Sequence, residues 1–171
     1  MIIEERVERS QYVKLITWIV SFIILMAGIV FPVLILWVNQ DMMSKVIGAS
    51  VLCLIFFTLI FTVAYQPRKL ILSDTHIIME RILGQVYISY SDITDISLYH
   101  RENVAEIRIF GIGGLGGYIG KFYNSKIGFY TAYVGDYSQA FLIKINNREK
   151  YVMSCRHAEK IVEEVKSRLK Q

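Results

Sequence analysis

Residues 15–38 read LITWIVSFIILMAGIVFPVLILWV and residues 46–65 read VIGASVLCLIFFTLIFTVAY, with NQDMMSK between them. Neither run contains an Asp, Glu, Lys, Arg or His. At about 1.5 Å of rise per residue they would reach about 36 and 30 Å as helices, enough for a hydrocarbon core of about 30 Å. The pair predicts a transmembrane helical hairpin over residues 15–65, and everything else in the chain hangs from it. Trp18 and Trp37 lie near the two ends of the first run, where amphipathic rings prefer the headgroup level. A cleavable signal peptide does not fit, because the apolar core is too long and a second run follows at once. With no ionisable group inside either run, an ion or proton path formed by this chain alone is not expected.

Outward on the N-terminal side, residues 1–14 are mixed in sign, with Arg6, Arg9 and Lys14 among Glu4, Glu5 and Glu8. They are expected to form a short cytoplasmic lead of one or two helical turns. The turn at residues 39–45 holds one basic residue, Lys45, whereas Arg68, Lys69 and Arg81 follow the second run closely. Basic residues favour the cytoplasmic side, so both termini are expected inside and the turn outside. Thr17, Ser21 and Gly28 in the first run, and Gly48, Thr58 and Thr62 in the second, are small enough to line a helix–helix contact.

Beyond the hairpin, residues 67–171 change period. Leu70–Leu72 and then Ile77, Met79, Val86, Ile88, Ile96, Leu98, Ile107 and Ile109 fall in short β-like runs. Ser73-Asp74-Thr75, Gly84-Gln85, Ser91-Asp92 and Glu102-Asn103 separate them as turn formers. Strands this short without intervening helices predict antiparallel sheets. Phe141, Ile143 and Ile145, then a turn at Asn146-Asn147, then Tyr151 and Met153 give a hairpin pattern. Ala158, Ile161, Val162, Val165 and Leu169 make one apolar stripe on a closing helix, with Ser154 as its expected cap.

The chain has 171 residues, 54% of them hydrophobic, and the apolar excess lies in the hairpin. The tail carries the whole net charge of +4, a mild excess that suits a domain near anionic headgroups but forms no nucleic-acid stripe. Cys53 lies in the second run and Cys155 far along the tail, so no internal disulfide is expected, in keeping with a reducing compartment.

Several features invite a chemical reading. Gly111-Ile112-Gly113-Gly114-Leu115-Gly116 satisfies the dinucleotide pattern and Asp136 follows about 20 residues later, but the site also needs a helix at that point. The glycines and alternating aromatics that follow favour bends or close strand approach instead. Cys155 and His157 are two apart with no orienting third group, and are read as an ordinary helix start. His76 and His100 have no partners at metal-ligand spacing, so no metal or cofactor is expected. The segment 111–137 is rich in Gly and Tyr, and Tyr118, Phe122, Tyr123, Phe129, Tyr130 and Tyr133 are the candidate interaction surface. Lys69, Arg81, Lys121 and Lys126 are the candidates for facing anionic lipid.

Four stretches resemble those of a bacterial pleckstrin-homology (PH) domain. They are Ser91-Asp92-Ile93-Thr94-Asp95-Ile96, Arg108-Ile109-Phe110-Gly111, Gly128-Phe129-Tyr130-Thr131-Ala132-Tyr133 and Tyr151-Val152-Met153-Ser154. The resemblance covers roughly residues 67–169, and membrane helices commonly accompany such domains. It implies antiparallel sheets forming a partly open barrel capped by one C-terminal helix, and a binding scaffold, often self-associating, without a catalytic centre. Phosphoinositide-binding relatives place Lys and Arg in the loop after the first strand; here that loop reads Ser73-Asp74-Thr75-His76, which argues against inositol phosphates. The expectation is a multi-pass protein of the bacterial cytoplasmic membrane, with a lead (1–14), a hairpin (15–65) and a PH-like domain (67–171). That domain would bind a protein partner or a second copy, with electrostatic recognition of anionic lipid as the alternative and a nucleotide enzyme using Gly111 to Gly116 as a remote one. Neither nucleic acid nor a small-molecule substrate is expected.

Overall fold

A computed structural model describes residues 2–38, 41–101, 105–146 and 148–169. Two helices, α1 (Gln11–Val38) and α2 (Met42–Ala64), hold the two apolar runs. Both start four residues ahead of their runs, because helical geometry continues into flanking polar residues. Asp41 caps α2, its carboxylate accepting from the Ser44 amide at 3.0 Å. Gly28 is buried where the helices meet, and a Cβ there would stand 3.2 Å from Ile55 Cδ1. Thr58 and Thr62 donate to carbonyls one turn back, so their hydroxyls are satisfied within α2. Both helices are long and apolar enough to cross a membrane, and 12% and 11% of their apolar windows are buried, unlike the core helix of a soluble protein.

The strands follow as β2 (Pro67–Leu72), β3 (His76–Arg81), β4 (Gln85–Ser89), β5 (Ile93–Leu98), β6 (Glu106–Gly113), β7 (Tyr118–Asn124), β8 (Gly128–Val134), β9 (Ala140–Ile145) and β10 (Lys150–Ser154). A further strand, β1 (Ile3–Arg6), precedes the helices and pairs antiparallel with β2, Ile3 opposite Leu72 and Arg6 opposite Lys69. The expected helical lead is therefore corrected to a strand: Ile3 and Val7 pack on the core while Glu4 and Arg6 face out. The hairpin of α1 and α2 thus interrupts a sheet rather than preceding it.

The strands form a four-stranded sheet, β1-β2-β3-β4, and a six-stranded one, β5-β9-β10-β8-β7-β6. Two points depart from the expected antiparallel, partly open barrel. No strand pair joins the two sheets among the described residues, and β10 runs parallel to β8. The parallel pair arises because β9 runs opposite to β8 at one strand's remove, and β10 folds back from β9 into the gap.

One face of the six-stranded sheet packs with the four-stranded sheet and α3 (Ala158–Arg168) around Leu70, Leu72, Ile77, Met79, Phe141, Ile143 and Met153. The stripe on α3 is buried as expected at Ala158, Ile161, Val162 and Val165. The opposite face buries Phe122, Tyr130, Ala132, Val134, Leu142 and Val152. Cover on both sides explains why β9 is buried at consecutive residues rather than alternating ones. Ser154 does not cap α3: it ends β10, its hydroxyl accepting from the Gly135 amide at 2.9 Å. His157 stands at the cap position and meets Glu5 of β1 at 3.0 Å. The turn at Asn146-Asn147 lies partly, and that at Glu102-Asn103 wholly, outside the described residues.

Candidate functional site

Three places gather the residues that could carry function, and the first is the foot of the helices. The glycine motif ends β6 and turns into β7, a strand where a pyrophosphate site would need a helix N-terminus. Gly111 and Gly120 stand directly opposite each other at φ +123° and +122°, and a Cβ on either would strike the other strand's backbone. The turn docks on α1: the Gly116 amide donates to Thr17 Oγ1 at 2.8 Å, and that hydroxyl donates to Val13 O at 2.6 Å. Gln66, just past α2, fills the space where a Gly116 side chain would sit, and Arg9 Nη2 donates to Gln66 Oε1 at 2.5 Å. Gly135 is equally tight, since a Cβ there would strike the carbonyl of Glu8. The glycines therefore seat the domain against the helix ends.

The second place is a tyrosine-lined cluster on the face of the six-stranded sheet away from α3. Glu106 has a side chain only 5% exposed and is held by Arg101 at 2.6 Å, by the Tyr137 hydroxyl at 2.8 Å and by the Tyr130 hydroxyl. The Arg101 guanidinium lies over the rings of Tyr118 and Tyr137, 5.1 and 4.7 Å from their centroids. Burial and the adjacent Glu106 carboxylate push the Tyr137 hydroxyl well above its ordinary pKa. Beside it opens a cleft of about 240 Å³ that includes Leu98, His100, Asn124 and Lys126. The sequence reading missed Glu106, because the two tyrosines that bury it stand 24 and 31 residues away and its nearby Arg101 alone reads as an ordinary surface pair.

The third place is the free end of the six-stranded sheet. Ile107, Ile109 and Phe110 on the edge strand β6, together with Phe129 on β8, are 56%, 55%, 71% and 68% exposed. Ile107 stands opposite Tyr123, which in turn stands opposite Phe129, so these three share one face. The expected aromatic surface is therefore divided. Tyr123 and Phe129 remain outside with ring centroids 4.9 Å apart, whereas Phe122 and Tyr130 are core residues at 3% exposure and are removed from any docking surface. Tyr118 belongs to the Arg101 cluster, and Tyr133 lies on the opposite face beneath Arg81.

The four basic candidates are not brought together. Lys69 pairs with Glu4 at 3.3 Å, and Arg81 lies between the rings of Tyr65 and Tyr133 at 5.2 and 5.6 Å. Lys121 and Lys126 are exposed on or beside β7, in the other sheet. The loop after β2 is occupied by the chain's own helix, with Arg168 Nη1 donating to Ser73 O at 2.6 Å. Cys155 is buried, and burial pushes its thiol up to about 12, so no thiolate is available at neutral pH. Among the described residues no cluster of His, Cys, Asp and Glu could hold a metal ion.

Searches of curated proteins and of solved structures found no match. A family model described as the bacterial PH domain matches residues 68–169, more than half of the 171-residue chain. It starts at the second residue of β2 and ends just past α3, taking in both sheets except β1 and the first residue of β2. On that match, and on two sheets closed by a C-terminal helix, the chain belongs to the bacterial PH domain family.

Proposed function

We propose that the chain is a multi-pass protein of the bacterial cytoplasmic membrane, with both termini cytoplasmic, whose PH domain is a non-catalytic adaptor for a protein partner or a second copy. The observation that carries this reading is the apolar end of the six-stranded sheet, where Ile107, Ile109, Phe110 and Phe129 are exposed and Tyr123 is half-buried against Phe129. Exposed apolar side chains beside an unpaired strand edge favour contact with another chain. A tether in the bilayer raises the local concentration of the domain, so a modest interface suffices.

Trp18 and Trp37 support the anchoring part. They are 78% and 84% exposed, and a separation of 19 positions along the helix spans about 28 Å, close to the thickness of a hydrocarbon core.

A photo-crosslinking residue at Phe129, in the full chain in its own membrane, tests the adaptor reading. A discrete adduct is expected, and Phe110→Arg should abolish it without changing the folded fraction. No adduct, or one indifferent to Phe110→Arg, overturns the reading. Cysteines placed at Met42 and at Lys166 in a Cys53→Ser background test the orientation with an impermeant maleimide. Position 42 should react from outside intact cells and position 166 only after lysis.

A further inference from the structure

We propose that the corner of the domain beside α2 is a phospholipid-binding edge. In it the β3–β4 tip, Ile82-Leu83, enters the bilayer interface, and Arg6, Arg68 and Lys69 hold the phosphates of anionic headgroups. The inference rests on the hairpin crossing a membrane, as proposed above, and adds a surface that the adaptor reading does not use.

The Leu83 amide donates to the carbonyl of Ala64, the last residue of α2, at 2.8 Å. The tip therefore lies level with the end of the apolar helix, where hydrocarbon gives way to headgroups. At that level a polar turn would be the ordinary choice. Instead the tip carries two large aliphatic side chains, Ile82 and Leu83, exposed at 51% and 58%. Behind them Arg81 N–H donates to Gly84 O at 3.1 Å, and Gly84 takes φ +80°, so the hairpin closes tightly and presents both side chains at its corner.

The charges come from strand register. Arg6 stands opposite Lys69, and Pro67 opposite Arg81, so the cations of three neighbouring strands lie at the helix end of the sheet. A bulge at Arg68 breaks the alternation between Pro67 and Lys69 and adds another outward cation. Arg6, Arg68, Lys69 and Glu80 line one cleft of about 470 Å³. Among the described residues that line it Glu80 is the one carboxylate, and Lys69 also has Glu4 at 3.3 Å. Among the described residues neither Arg6 nor Arg68 is held in an ion pair. Two guanidiniums thus remain for phosphate oxygens, which they bind in fork geometry. An aliphatic tip flanked by cations is the arrangement that a bilayer surface recognises, hydrocarbon below and phosphate at the rim.

The test uses the full chain in nanodiscs of phosphatidylcholine alone or mixed equally with phosphatidylglycerol. A Leu83→Cys variant in a Cys53→Ser background carries a fluorophore, and some of the lipid carries a quencher just below its headgroup. Quenching is expected at position 83 and not at a matched label on Phe129. The phosphatidylglycerol discs should raise the Tm of the wild type, and Arg6→Gln with Arg68→Gln should remove that increment while leaving the Tm in phosphatidylcholine unchanged. Each cation near an anionic leaflet is worth about fivefold in affinity, so the pair of substitutions should weaken capture of added phosphatidylglycerol about 25-fold.

An unquenched label at position 83, or an increment that survives both substitutions, overturns the proposal and leaves the corner to a protein ligand. Inorganic phosphate reproducing the increment in phosphatidylcholine discs would assign the cations to free phosphate and also overturn it. If Trp18 and Trp37 are unquenched by chain-labelled lipid as well, the fault lies with the membrane hairpin rather than with the corner.

Discussion

The two faces of the six-stranded sheet are built from different chemistry. Toward the four-stranded sheet and α3 the buried contacts are apolar, with Phe141, Ile143 and Met153 fully buried against Leu70, Ile77 and Ile161. On the other face tyrosines surround a buried carboxylate: the Tyr130 and Tyr137 hydroxyls donate to one oxygen of Glu106, and Arg101 stands 2.6 Å from the other. The apolar side stabilises by area removed from water, which carries no directional requirement. The tyrosine side depends on direction, and each of its polar groups is costly if left alone.

The sharpest way to break the contrast is Phe141→Ala. Phe141 is fully buried, so the loss should be about 3–5 kcal/mol, read as a lower urea midpoint for the domain. Glu106→Ala should cost less, about 2 kcal/mol, because the Arg101 it strands is 41% exposed and can reach water. Glu106→Gln should recover about half of that by keeping acceptors for both tyrosines. If Glu106→Ala costs as much as Phe141→Ala, the two faces are not different in kind.

Alkaline titration sharpens the contrast further. Burial pushes the Cys155 thiol up to about 12 from 9.0, and burial together with Glu149 pushes the Tyr151 hydroxyl up to about 12 from 10.0. Tyr137 is raised as well. The unfolded chain therefore releases protons first, and stability should be intact below about pH 9 and fall progressively toward pH 12. Cys155→Ala should erase the first part of that fall, measured as Tm against pH. Ser154→Ala, which frees the Gly135 amide beside the helix foot, should cost about 1 kcal/mol. Lys144→Ala removes a half-exposed pair with Asp95 and should change stability by less than about 0.5 kcal/mol.

Local pattern made part of this architecture legible. The two apolar runs, the hairpin of β9 and β10 and the stripe on α3 depend on periodicity within one segment, and the structure has all of them. What escaped depends on partners far away in the chain. β1 is four residues long and three of them are charged, so it has no hydrophobic alternation; β2 recruits it through edge hydrogen bonds. Ser154 has the chemistry of a helix cap, but its hydroxyl is engaged by Gly135 before the helix starts. Glu106 reads as an ordinary acid at a strand start until the fold delivers Tyr130 and Tyr137 to it. The glycine motif has the spacing of a dinucleotide site, yet it is Thr17, 99 residues before Gly116, that its amide meets.

The pairing of β1 with β2 also imposes an arithmetic of parity on the intervening chain. Ile3–Arg6 and Pro67–Leu72 are hydrogen-bonded neighbours, so both must finish in the same aqueous compartment. Any bilayer threaded between them is threaded an even number of times, and a nascent chain that stalled after a single pass would be left holding half of a clasp. If the hairpin spans a membrane as proposed above, the β1–β2 pair can close only in molecules in which it has come all the way back.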